Sequence, residues 1–96
     1  MPRPPATDTV LVLRLYVAGD APNSLCAIAN LKAICDAHFP AAHKLEIVDM
    51  LQSPLRALAD RVVVTPTLLR LSPGPLRRVI GNLSDRSQVL HILANQ

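Results

Sequence analysis

Apolar positions along the chain fall into short blocks whose period changes, and each change marks a new element. Thr9–Val17 (TVLVLRLYV) is apolar on both alternating faces except at Arg14. That is the pattern of a central strand covered on both sides. Gly19–Ser24 interrupts it as a turn, and Pro22 suits the first turn of a helix for which Asp20, Asn23 and Ser24 are the cap candidates. A helix is predicted from Pro22 to His38, because Ile28, Leu31, Cys35 and Phe39 recur at i, i+3, i+7 and i+11, and Pro40 stops it. Lys44–Met50 alternates and reads as a strand nearer the sheet edge. Ser53-Pro54 starts a second, short helix, with Leu55, Leu58, Ala59 and Val62 assigned to its buried face.

The last third predicts strands over Val62–Leu71 and Leu76–Ile80 about the turn Ser72-Pro73-Gly74-Pro75. Ser84 has the character of an N-cap, followed by a helix to about Leu93 with Asp85 in its first turn. The run Val89–Leu93 also alternates, so a strand there fits the periodicity equally well. Together these elements give one α/β domain over residues 10–96, preceded by a Pro-rich lead-in over residues 1–9.

Composition narrows the function classes. Half of the 96 residues are hydrophobic and 18% are charged, as in a folded domain with one core. Tyr16 and Phe39 are the only aromatics, so aliphatic side chains must build that core and no aromatic platform exists for single-stranded nucleic acid. The net charge of +3 comes from dispersed basic residues. Arg77 and Arg78 are adjacent, but a strand sends them to opposite faces, and no nucleic-acid patch follows. No apolar run is long enough for a membrane span, and Arg14 and the β-branched residues make the first apolar block a strand instead of a signal peptide. The expectation is a cytoplasmic protein with reduced cysteines. The glycines are isolated in turns, no serine is marked as activated, and Cys35 and His38 lack a second pair of ligands at metal spacing. No cofactor or metal is expected.

The order βαβαββα is that of the thioredoxin fold, with a right-handed parallel βαβ unit and a closing hairpin. Val64-Thr65-Pro66-Thr67 then resembles the corner where thioredoxin-like domains hold a proline, usually cis, before the third strand, although a trans proline at a strand start is also common. On that alignment the redox Cys-x-x-Cys would lie at Asp20-Ala21-Pro22-Asn23, which has no thiol. Cys26 and Cys35 are on opposite faces of one helix, about 13 Å apart along its axis, beyond disulfide reach.

Leu15-Tyr16-Val17-Ala18-Gly19, Pro22-Asn23-Ser24, Leu45-Glu46-Ile47-Val48-Asp49, Thr65-Pro66-Thr67-Leu68 and Arg77-Arg78-Val79-Ile80-Gly81-Asn82-Leu83-Ser84 stand in the order and at the spacing of the KaiB family. The resemblance covers roughly Val10 to Leu93. It implies a regulator, not an enzyme, that binds a KaiC-like ATPase and modulates its cycle, with a SasA-like kinase as a competitor. It also implies two packings: a thioredoxin-like one, which the local signals favour here, and a tetrameric ground state with a rearranged C-terminal half. By the same likeness the thioredoxin-like packing is the monomeric one, and monomer, dimer and tetramer all stay open for this chain. Family interfaces near the second strand and second helix point to Lys44, Glu46 and Arg61 as partner contacts. KaiB of cyanobacterial clocks continues into an acidic tail where this chain stops at Gln96, and shorter members occur outside the core oscillator. The rival readings are a stress-response adaptor with another protein partner and a thiol oxidoreductase.

Overall fold

The computed structural model describes residues 10–94; the lead-in expected over residues 1–9 lies outside them. Four strands form one mixed sheet in the order β2-β1-β3-β4. β1 is Leu11–Val17, β2 His43–Asp49, β3 Thr67–Ser72 and β4 Arg77–Ile80. β1 pairs in parallel with β2, Leu11 opposite His43 and Val17 opposite Asp49, and antiparallel with β3. The β3–β4 hairpin closes the other edge, with Leu68 opposite Val79. The helices are α1 (Pro22–His38), α2 (Pro54–Ala59) and α3 (Arg86–Ala94).

Alternation along β1 divides the molecule into two packed layers. Leu11, Leu13, Leu15 and Val17 meet Ala27, Leu31, Ile34 and Cys35 of α1 and Val89 and Leu93 of α3. Burying each of the large aliphatics in this layer contributes about 1.5–3 kcal/mol before conformational entropy is counted. Tyr16 faces the other way and packs with Val48, Ala57, Val62 and Leu69 under α2. The predicted α1 stripe is therefore the one that meets the sheet, with Ile28 and Phe39 at its partly buried margin.

Local chemistry departs from expectation at four places. α1 has Pro22 in its first turn but no side-chain cap. Ser24 instead turns inward and accepts the Ala18 N–H at 3.1 Å, tying the helix start to the end of β1. β3 begins at Thr67, not Val62, because the preceding residues make other contacts. The Val62 N–H returns to Ala57 O at 2.8 Å, Arg61 is left-handed at φ 58°, and Pro66 has no N–H to give a ladder. At α3 the cap is Asp85, whose carboxylate accepts the Gln88 N–H at 3.1 Å, while the Ser84 N–H goes to Asn82 Oδ1.

The fourth correction concerns α2. Leu55 and Leu58 were assigned to its buried face, yet they are 78% and 72% exposed, and Ala59 is exposed as well. A six-residue helix has fewer than two turns, so its inward side is one residue wide. Ala57 takes that position because a small side chain lets the helix backbone approach Tyr16, Val48 and Leu69. Val62 is buried as expected.

Arg70 is the largest fully buried side chain, on the α1/α3 side of β3. Its Nη1 donates to Ile92 O at 2.7 Å, near the end of α3, and its Nη2 to Pro75 O at 3.3 Å in the β3–β4 turn. A cation at a helix C-terminus is favourably placed against the macrodipole. Burial, with the Arg77 charge nearby, pulls the Arg70 pKa down. The Thr65–Pro66, Ser72–Pro73 and Gly74–Pro75 peptide bonds are cis.

Candidate docking surface on β2 and α2

Arg14 interrupts the apolar run of β1 on the side that α2 covers only in part. Register places it opposite Glu46 of β2. Its Nε donates to Glu46 Oε1 at 2.9 Å, and its Nη1 to Asp60 Oδ2 at 2.9 Å. Arg56 of α2 closes the set through Nη1 to Glu46 Oε2 at 2.8 Å. Two arginines and two carboxylates thus neutralise one another across β2, β1 and α2. The Arg56 and Arg14 guanidiniums hold the Glu46 carboxyl down to about 2.

Tyr16 anchors the same cluster from beneath. Its hydroxyl lies 2.5 Å from Asp60 Oδ2 and 2.9 Å from Arg56 O, and the charged acceptor at the shorter distance takes its single proton. That hydrogen bond, with Arg14, depresses the Asp60 pKa, while burial and the Asp60 charge raise that of Tyr16. Arg78 of β4 completes the setting of α2. Its guanidinium donates to Asp60 O at 2.9 Å and Arg61 O at 3.1 Å, beyond the helix C-terminus.

The structure places Lys44 and Glu46 on the same face of edge strand β2, two residues apart and both exposed. Arg61 is also exposed, just beyond α2. Glu46 is committed to Arg14 and Arg56, which the sequence reading did not foresee. Its one available signal was Arg14, a charge in an otherwise apolar strand. The apolar component of the surface was missed too. Leu51, Leu55 and Leu58 follow one another at i, i+4 and i+7 with 72%, 78% and 72% exposure, and Val63 is 85% exposed. Exposed leucines at helical spacing beside arginines form a surface suited to contact with another protein.

Neither small-molecule nor redox chemistry finds equivalent support. The pocket between β4 and α3, lined by residues including Gly81, Asn82 and Gln88, holds about 120 Å³, well below the roughly 300–1,000 Å³ of typical ligand sites. The turn into α1 presents Asp20, Ala21, Pro22 and Asn23. Cys26 is exposed and Cys35 buried, both as free thiols, and burial pushes the Cys35 thiol up to about 11. Among the described residues no three His, Cys, Asp or Glu side chains converge on a metal position, and no helix is long and apolar enough to cross a membrane.

A four-stranded sheet with two helices on one face, one on the other and Pro66 before β3 defines a thioredoxin-like domain. Solved structures agree. The germline-specific thioredoxin Deadhead of Drosophila melanogaster superposes with a TM-score of 0.74 at 14% identity, covering 94% of this chain and 84% of that one. The N-terminal domain of Synechococcus elongatus SasA superposes with a TM-score of 0.75 at 27% identity, covering 100% of this chain and 94% of that domain. The family follows from sequence: the KaiB domain matches residues 14–95, and the chain belongs to the KaiB family. The circadian clock oscillator protein KaiB of Prochlorococcus marinus strain NATL2A is 46% identical over 79 residues, 82% of this chain and 74% of the relative. That of Nostoc punctiforme is 47% identical over 79 residues, 82% of this chain and 76% of the relative.

Proposed function

We propose that this protein is a non-enzymatic, cytoplasmic regulator that docks onto a KaiC-like ATPase through β2 and α2 and modulates its cycle in circadian or hourglass timing. The observation that carries the reading is the row Leu51, Leu55 and Leu58, exposed beside Arg56 and Arg61. Exposed apolar side chains scattered singly are ordinary, whereas several gathered in one row are the kind of patch that marks a contact with another protein. Lys44, Glu46 and Arg61 are the charged contacts of this reading, on β2 and just after α2, and such charges govern encounter and specificity more than total affinity. Likeness to the SasA domain supports competition with a SasA-like kinase for the same partner, since similar domains present similar surfaces.

The proposed regulator has no catalytic step of its own. Thiol exchange needs a thiolate at the turn into α1, where this chain has Asp20 and Asn23. Family resemblance adds a second packing of the C-terminal half, from which the partner would select the thioredoxin-like one.

The test is co-elution with a KaiC-type ATPase, with and without ATP, using the wild-type chain and Arg61→Glu. The Arg61 side chain extends from an exposed position, so the variant is expected to keep its circular dichroism spectrum and to bind at least tenfold more weakly. Unchanged affinity would remove Arg61 from the interface. Absence of wild-type binding would overturn the partner assignment.

A further inference from the structure

β4 forms the sheet edge farthest from β2 and is bonded to β3 alone. Its backbone orientation follows from one bond at its end. Gly81 N–H donates to Pro66 O at 3.0 Å, in register with the Thr67–Ile80 and Leu68–Val79 pairs. Hydrogen-bonded and non-hydrogen-bonded pairs alternate along an antiparallel ladder. Arg77 and Val79 therefore turn their N–H and C=O groups toward β3. Arg78 and Ile80 turn theirs to the open edge.

Side chains alternate between the two faces of the same strand. Val79 is buried in the layer under α1 and α3, and Arg77 shares its face. Arg78 reaches the carbonyls beyond α2, so Arg78 and Ile80 lie on the other face. Ile80 is 62% exposed, and Leu76, just before the strand, is 53% exposed. Neither arginine is paired with a carboxylate among the described residues. The acceptors of Arg78 are neutral carbonyls, and Arg77 stands opposite the buried Arg70, cation against cation.

We propose that the β4 edge takes an acidic extended segment of a partner protein as an added strand, antiparallel to β4. Two consecutive carboxylates of that segment would face Arg78 and Arg77, with apolar residues set against Ile80 and toward Leu76. The two arginines point to opposite faces, so a helix or a flat surface resting on one face reaches only one of them. A strand at the edge alternates as β4 does and reaches both, while its backbone satisfies the outward groups of Arg78 and Ile80. A second copy of β4 would bring only further arginines to the contact. β4 has four residues, so the contact is short and belongs to the weak, transient class.

The probe is a short capped peptide with the core Val-Thr-Glu-Glu-Val, titrated into the whole chain by NMR with amide hydrogen exchange. Saturable binding that weakens with salt is expected, with added protection at the Arg78 and Ile80 amides and none at Arg77 and Val79. N-methylation of the first glutamate removes a ladder donor and is expected to weaken binding at least tenfold. The N–H of the second glutamate points away from β4, and its methylation should be tolerated. Arg77→Glu, at an exposed position, should keep the fold and lose at least tenfold in affinity, restored by the core Val-Thr-Glu-Lys-Val. Absence of binding at millimolar peptide overturns the proposal. So does binding that ignores the first N-methyl group or Arg77→Glu, or that protects β2 instead. Protection of Arg78 and Ile80 that rises with the concentration of the chain alone would give the edge to a second copy and also overturn it. No ATPase is present in these measurements, so each of these failures leaves the docking reading standing.

Discussion

The Tyr16 hydroxyl donates to Asp60 across 2.5 Å, joining the central strand to the residue that ends α2. The tyrosine is fully buried, so its ring fills the layer under α2 while its hydroxyl reaches the ionic cluster. Hydrogen bonds to a charged acceptor are stronger than neutral ones. Tyr16→Phe keeps the ring and is expected to cost about 1–2 kcal/mol in urea unfolding, with an unchanged m-value.

Glu46 gives the pH dependence its sign. Its carboxyl ionises at about 2 in the folded chain against an ordinary value of 4.5. A depressed pKa means that the folded state binds the proton less tightly than the unfolded state does. The stabilisation is therefore complete above pH about 4.5 and is lost as pH falls toward about 2. Its size is small because the side chains are near half exposed and screened. Glu46→Gln should flatten unfolding free energy against pH within this window, measured by urea titration at fixed ionic strength.

Arg70 ties the β3–β4 turn to the last turn of α3. Arg70→Met keeps much of the apolar stem but leaves the Ile92 and Pro75 carbonyls without this donor. The expected cost is about 1–3 kcal/mol. Amide exchange should speed up first in α3, before the β1–β2 ladder is affected.

Leu55→Ala with Leu58→Ala separates docking from folding. Both side chains lie on the surface, so unfolding free energy should stay within about 0.5 kcal/mol of wild type. Binding to a KaiC-type ATPase should fall by at least tenfold in the same co-elution assay. Loss of stability without loss of binding would return the two leucines to a structural role.

The thiols should behave unequally. Cys26 is expected to react with an alkylating reagent in the native state, and Cys35, buried and with its thiol raised to about 11, only after unfolding. Insulin reduction should show no turnover. Activity abolished by Cys26→Ser would restore the oxidoreductase reading.

Much of the fold was legible because its signals are local. Pro22 and Pro40 bracket α1, the alternation of Lys44, Leu45, Glu46 and Ile47 marks β2, and the apolar run of β1 required cover on both faces. The α2 region was read poorly because six residues hold too few positions for a period to decide which side is inward. Leucine is the more apolar residue there, but close approach to Tyr16 requires the smaller Ala57. The start of β3 was obscured by Val62–Val64, whose strand composition is overridden by the contacts of Arg61 and Val62. Of the candidate surface, Lys44, Glu46 and Arg61 came from family likeness, and their positions on β2 and after α2 are now known. The cluster joining Arg14, Glu46, Arg56 and Asp60 spans residues up to 46 apart in sequence, and no spacing rule connects them.

The Arg78 guanidinium on the Asp60 and Arg61 carbonyls has a consequence for how the protein is made. Six residues cannot sustain a helix in water unaided. α2 is held by the packing of its Ala57 on Tyr16 and, beyond its C-terminus, by Arg78, a residue that emerges from the ribosome well after the helix itself. During synthesis the first strand and α1 can assemble early, while α2 frays until β4 has been delivered. A nascent chain stalled just short of Arg78 should hold α2 as a labile segment whose backbone is open to proteases that the finished protein excludes.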